Sequence, residues 1–184
     1  GYVGVGVSVA ASFAFNDIGN TVSATIESST ATASAGHVAL RATSNTRIDA
    51  LTVGGALGVG AGYVGVGAGG FGAKSENAIA NTVVASVRNN AAVQAGGMVL
   101  IEAKDVSDIT ADSGGLTLEI GAGFVGIGVS VGVGLSSNVL NNDVLAAVED
   151  STARAGTGLS VLASEAASIK ALSLAGAASA GAGY

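Results

Sequence analysis

The chain has no proline, no cysteine and no tryptophan in 184 residues, and only 11% of its residues are charged. Each absence excludes something. Proline cannot donate to a sheet ladder, so a chain without any is free to be strand throughout. Without cysteine there is no disulfide framework and no thiol chemistry. The net charge is −6, with no basic block, which argues against nucleic acid and anionic membrane surfaces as partners. Disorder requires low hydrophobicity and high charge, whereas 49% of this chain is apolar, so it is expected to fold or assemble.

What the chain has instead is glycine, valine, alanine and a repeat. "GYVGVGVSVA" begins at Gly1, "GYVGVGAGGF" at Gly62 and "GFVGIGVSVG" at Gly123, and Gly183-Tyr184 begins the motif again. The agreement extends along the whole unit. An aromatic ring recurs at Tyr2, Tyr63, Phe124 and Tyr184. Asparagine recurs at Asn16, Asn77 and Asn138, and again at Asn20, Asn81 and Asn142. The units are 1–61, 62–122 and 123–182, with 183–184 opening a fourth. Repetition at this length signals a protein whose units stack on their neighbours. Because the chain opens and closes at repeat boundaries, it is expected to be a segment of a longer array.

Inside the unit the period is two, that of a strand. Val3, Val5, Val7, Val9, Ala11, Phe13 and Phe15 share one parity, and Gly4, Gly6 and Ser8 share the other. "NTVSATI", "AGHVALRA" and "RIDALTVGGALGV" follow, separated by the turn-like clusters "NDIGN", "ESST" and "SAG". In the last of these strands, Ile48 and Ala50 are followed by Leu51, Val53, Leu57 and Val59 of the other parity, which reads as a slip. The expected fold is all-β: a β-solenoid, or parallel β-helix, of tandem ~61-residue repeats. Short strands favour three coils per repeat and a rod roughly 43 Å long. The alternative is one wide coil per repeat, which would stack equivalent asparagines and rings as ladders.

The valine parity is expected to face the core. The glycine parity (Gly4, Gly6, Gly65, Gly67, Gly126 and Gly128) is expected to be a packing face covered by a second sheet, from this chain or a neighbouring one.

"STATASAGHVALRATSNTRIDAL" resembles the tandem repeats of large secreted bacterial surface proteins of the filamentous-haemagglutinin type. The whole 61-residue unit looks still more like the repeats of leukotoxin-type filamentous adhesins. The resemblance implies a right-handed parallel β-helix, secretion to the cell surface, and an adhesive or fibrous role.

Chemistry is sparse. His37 is the sole histidine, and a turn residue is the simpler reading of it than a ligand or a base. Asp105, Asp108 and Asp112 are close enough in sequence for acid–base work or Ca²⁺, but read more simply as solvated charges, as does the turn Asn141-Asn142-Asp143. "GVGVGVS" lacks the strand-to-helix context of a phosphate loop. The uncharged window Ala50–Ala73 alternates with glycine, which argues against a membrane helix, and without aromatic girdles or regular hairpins it argues against a membrane barrel too.

The expectation is a non-enzymatic structural segment of a secreted filament or adhesin, with no cofactor and no metal, whose partners are neighbouring repeats or copies of itself. The alternative is a flat-faced module that binds glycan or ice. Regular Thr-x-Thr ranks would mark it, but only Thr30–Thr32 offers one.

Overall fold

The computed structural model describes residues 1–183; Tyr184, the fourth ring position, lies outside the described residues. The chain is an all-β parallel solenoid. Each 61-residue unit contributes the same four strands. The first gives β1 (Val3–Ile18), β2 (Thr21–Glu27), β3 (Thr30–Ala33) and β4 (Val38–Ala61). The second gives β5 (Val64–Ile79), β6 (Thr82–Arg88), β7 (Ala92–Ala95) and β8 (Met98–Ala122). The third gives β9 (Val125–Leu140), β10 (Asp143–Val148), β11 (Thr152–Ala155) and β12 (Gly158–Ala182). They form four parallel three-stranded sheets, ordered β1-β5-β9, β2-β6-β10, β3-β7-β11 and β4-β8-β12.

The pairing corrects the expectation of three coils per repeat. Val3 pairs with Val64 and Val64 with Val125, so each unit is one coil lying on its equivalent. The long strands absorb the residues that three short coils were to use: β1 has 16 residues and β4 has 24. Three layers at a strand spacing of ~4.8 Å make a stack ~14 Å tall, not 43 Å.

The register also shows length changes that a uniform shift conceals. Glu27 pairs with Arg88, but Thr30 pairs with Ala92, so the second coil's turn holds one extra residue. Val38 pairs with Val99, so the next turn has lost one. The third coil pairs Thr152 with Ala92 and Leu159 with Val99, and is one residue shorter overall. The first of these turns bends through left-handed backbone in every coil, at Ser28, at Asn89 and Asn90, and at Asp150. Asn and Asp adopt that region at low cost, and Ser does so less readily.

The coil has two parts. At one end β2, β3 and the start of β4 enclose an apolar core of Val83, Val87, Val93, Val99 and Ile101 from the middle coil, with Val22, Ile26 and Val38 packed on it from the first. A smaller cluster of Ile48, Ile79 and Ile109 lies next to it, flanked by Ile18 and Leu140. At the other end the sheet of β1 and the far half of the sheet of β4 lie directly on one another, running in opposite directions. A Cβ on Gly4 would overlap the Ala61 carbonyl, and one on Gly6 the Val59 carbonyl. Gly65 faces Ala122, Gly67 faces Ile120, Gly126 faces Ala182 and Gly128 faces Ala180 in the same way. The glycine face is therefore covered by a sheet of this same chain, and close backbone approach is the reason for its glycines.

The valine parity is correspondingly corrected. Val3, Val5, Val7, Val9, Phe13 and Phe15 point outward and are exposed, with Val9 at 82%. There is no parity slip in β4. Thr52, Gly54, Gly58 and Gly60 continue the inward row begun by Ile48 and Ala50, so Leu51, Val53, Leu57 and Val59 also face out. Interior spacing forces this arrangement: valine cannot fit between sheets pressed backbone to backbone, so the larger side chains take the outer surface.

Candidate functional site

Stacking like on like converts repeated polar residues into ladders. Asn16 Nδ2 donates to Asn77 Oδ1 at 2.8 Å, and Asn77 Nδ2 to Asn138 Oδ1 at 2.7 Å. Asn77 also donates to Ser75 Oγ at 3.0 Å. The second series works through the backbone: the Asn20 amide donates to Asn81 Oδ1 at 3.2 Å, and the Asn81 amide to Asn142 Oδ1 at 2.9 Å. At the narrow end of the coil Tyr2 meets Tyr63 edge-on at 6.5 Å, and Tyr63 stacks on Phe124 at 5.0 Å.

The second asparagine series faces a buried polar cluster. Asp105 accepts from Asn81 Nδ2 at 3.1 Å, from Ser107 Oγ at 2.6 Å and from Asn142 Nδ2 at 2.8 Å. Asn142 reaches Glu165 as well, at 3.2 Å. Donors meet both Asp105 oxygens, which is how an interior carboxylate is retained. The three aspartates proposed as a group do not converge. Asp105 points inward, whereas Asp108 and Asp112 lie on the other parity of β8, and Asp108 is 3.9 Å from Arg47. Asn142 of the Asn141–Asp143 turn is bound into the ladder and the Asp105 cluster.

His37 sits in the turn before β4, where its Nδ1 accepts the Met98 amide at 2.8 Å. Among the described residues no three His, Cys, Asp or Glu side chains are placed to hold a metal ion. No helix among them is long and apolar enough to cross a membrane.

Two interior residues of the second coil escaped the reading of the sequence. Phe71 is buried between the pressed sheets, and its ring fills space that side chains on Gly54, Gly115 and Gly132 would occupy. Glu119 is fully buried beside Gly58 and Gly69; Ser8 Oγ donates to its Oε1 at 2.5 Å, and its Oε2 has no partner. The sequence signal was a large residue where the neighbouring copies have small ones: Ala10 and Gly132 flank Phe71, and Gly58 and Ser179 flank Glu119.

Charge collects on the outer surface. Arg41 pairs with Glu102 at 3.2 Å and Arg88 with Glu27 at 3.1 Å, both between coils. Hydrogen bonds from Asn89 and then Arg88, with the Arg88 charge, hold the Glu27 carboxyl below its ordinary range. Arg47, bonded to Asp49 at 2.7 and 2.9 Å, lowers Asp49 and is itself raised.

The arrangement is one of structural rows and large outer faces rather than of converging reactive groups. No protein-family model matches this chain, and no curated protein and no solved structure matches it either.

Proposed function

We propose that this chain is a structural segment of a secreted bacterial surface filament or adhesin. In this reading it is a non-enzymatic spacer that gives reach and rigidity outside the cell. The observation that carries the reading is the coil-on-coil register, in which equivalent residues pair along every strand. Such a stack grows by simple addition. Each further unit would meet the same strand edges, Asn ladders and aromatic row that the existing units offer one another. Stability comes from ladder hydrogen bonds and close packing, which suits a passive fibre. Absence of cysteine is compatible with folding after export, since no disulfide has to be formed.

The alternative of a flat face for glycan or ice has less support. Thr30 and Thr32 stack on Ala92 and Gln94, so no threonine rank develops along the axis. Imaging of a recombinant array with twice as many units tests the filament reading. The expected particle lengthens by ~4.8 Å per added unit at constant cross-section. A globular particle, or units tethered as separate beads, would contradict it.

A further inference from the structure

The three coils bury the inner row of β4, β8 and β12 unequally. Leu40, Ala42 and Ile48 of the first coil are buried, as are Ile101, Ala103 and Ile109 of the second. Their equivalents in the third coil, Val161, Ala163 and Ile169, are exposed, Ile169 at 47%. The chain climbs along the axis as it goes round, so the strand that ends one coil lies against the first strand of the next. A Cβ on Gly60, near the end of β4, would overlap Val66 of β5 and also meet the Gly4 carbonyl of β1. Gly121 of β8 lies between Ile127 of β9 and Gly65 of β5 in the same way. β12 has β9 on one side and no following coil on the other, so it overhangs as a step. Beside the step the outer edges of β9, β10 and β11 carry no strand, and at the opposite end those of β1, β2 and β3 carry none.

We propose that separate copies of this chain join end to end, the overhanging third coil of one seated on the open first coil of the next. The step lacks a coil that continues the rows below it, and the first coil supplies one. In the internal register Ile18 of the next copy follows Leu140 and covers Ile169, as Ile79 and Leu140 pack around Ile109 within the chain. Asn16 follows Asn138 and Tyr2 follows Phe124, which extends both rows. Gly4 and Gly6 meet Gly126 and Gly128, so the pressed half of the coil closes without a clash of side chains. The first turn has two residues on both sides of the joint, Ser28-Ser29 and Asp150-Ser151, against three in the middle coil. Within the chain only Gly62 and Tyr63 link the first coil covalently to the second. The rest of that junction is contact between separate strands, so it does not depend on chain continuity.

The contact is large enough to hold. β4 has 24 residues, or ~80 Å at ~3.3 Å per residue. With sheets at most ~10 Å apart the end of a coil is roughly 600–800 Å², so a joint buries roughly 1,200–1,600 Å² in all, the size of a stable interface. Its two sides differ, so it is heterologous and does not close; copies add into an open filament that rises ~14 Å per copy. On the outer surface Lys170 comes beside Asp49 of the next copy, an attractive pair, and Glu149 beside Glu27, a repulsive one.

The inference rests on the filament reading and names its axial partner, a second copy of this chain, yet it fails separately. A covalent array could lengthen coil by coil while separate chains stay apart. The test is sedimentation velocity and electron microscopy of the whole 184-residue chain up to ~0.5 mM, with circular dichroism on each variant. The expected result is an open-ended series of particles that lengthen by ~14 Å per copy at constant cross-section. Ala163→Asp sets a carboxylate on the overhanging row, where a single chain leaves it in water and a joint buries it, and should weaken association at least ~100-fold with β-sheet content intact. Lys170→Glu lies on the outer surface, away from the core, and should weaken association about 3-fold, an effect lost in ~1 M salt. Leu118→Asp, on the outer face of the middle coil, should change it less than ~2-fold. A chain that stays monomeric, or stops at a closed dimer, overturns the proposal. So does association indifferent to both Ala163→Asp and Lys170→Glu, or lost equally through Leu118→Asp, which would place the contact on the outer faces. If Ala163→Asp loses its sheet content, Lys170→Glu and its salt dependence decide.

Discussion

Gly4 lies so close to the Ala61 carbonyl that no side chain fits between them. The same relationship recurs in the next coils, where Gly65 faces Ala122 and Gly126 faces Ala182. It makes the narrow half of the coil a two-sheet slab with hardly any side chains inside. Its tolerance to substitution should therefore be the reverse of an ordinary core. The outer valines are replaceable, and the inner glycines are not.

Gly65→Val should cost about 3 kcal/mol or more, because the obstacles are the carbonyls of Ala122 and Gly60, backbone atoms held by two ladders. Arg41→Ala removes one exposed ion pair with Glu102 and should cost under about 1 kcal/mol. Urea unfolding of both variants gives the comparison. Equal effects would mean that the sheets can separate without loss.

Asn77→Ala deletes the bonds to Asn16, Asn138 and Ser75 together. At roughly 1 kcal/mol for each hydrogen bond, with partly buried partners left unpaired, the loss should be about 2–3 kcal/mol. Asn16→Ala removes a single bond at the exposed end of the ladder and should cost under about 1 kcal/mol. Thermal unfolding that ranks the two the other way would deny the ladder its structural role.

Glu119→Ser should stabilise the chain, by about 1 kcal/mol or more. The wild-type carboxylate is buried with one oxygen unpartnered, and the third coil already carries Ser179 at this position. The small void left behind reduces the gain without reversing it. A loss of stability on substitution would show that Ser8 and its surroundings stabilise the carboxylate more than its burial costs.

Acid should weaken the fold modestly. Glu27 and Asp49 are held below their ordinary range in the folded chain. Their contribution is therefore present above the unfolded carboxylate range and is lost as pH falls through the lowered folded values. Both are solvent-exposed, so salt should reduce the effect. Unfolding midpoints measured from neutral to acid pH, with and without 1 M salt, check this; a rise in stability on acidification would contradict the sign.

The repeat length and strand alternation were legible because both are written in identities: Gly1, Gly62 and Gly123 for one, Val3 to Phe15 for the other. Which parity faces inward was not legible. Alternation reports two faces, and the spacing between sheets decides which is interior. Valine inside is right for sheets about 10 Å apart and wrong for sheets in backbone contact. The coil count was obscured by the short turn spacing, which suits short strands and so favoured three coils over one wide one. The compensating turn changes around Ala92 and Val99 were invisible because they cancel over the unit. Phe71 and Glu119 could have been found by asking which copy breaks the small-residue rule of the glycine face.

The central claim, one coil per 61-residue unit, can be tested with a single covalent bond. The chain has no cysteine, so Thr43→Cys with Lys104→Cys introduces just two thiols. Thr43 and Lys104 are register partners on adjacent strands, both exposed. One coil per unit places their Cα atoms ~4.8 Å apart, within the range a disulfide spans. Mild oxidation of dilute protein should then close an intramolecular bridge quantitatively while the fold is retained. Three coils per unit would hold the same atoms ~14 Å apart, beyond the ~7 Å limit, and both thiols would stay free.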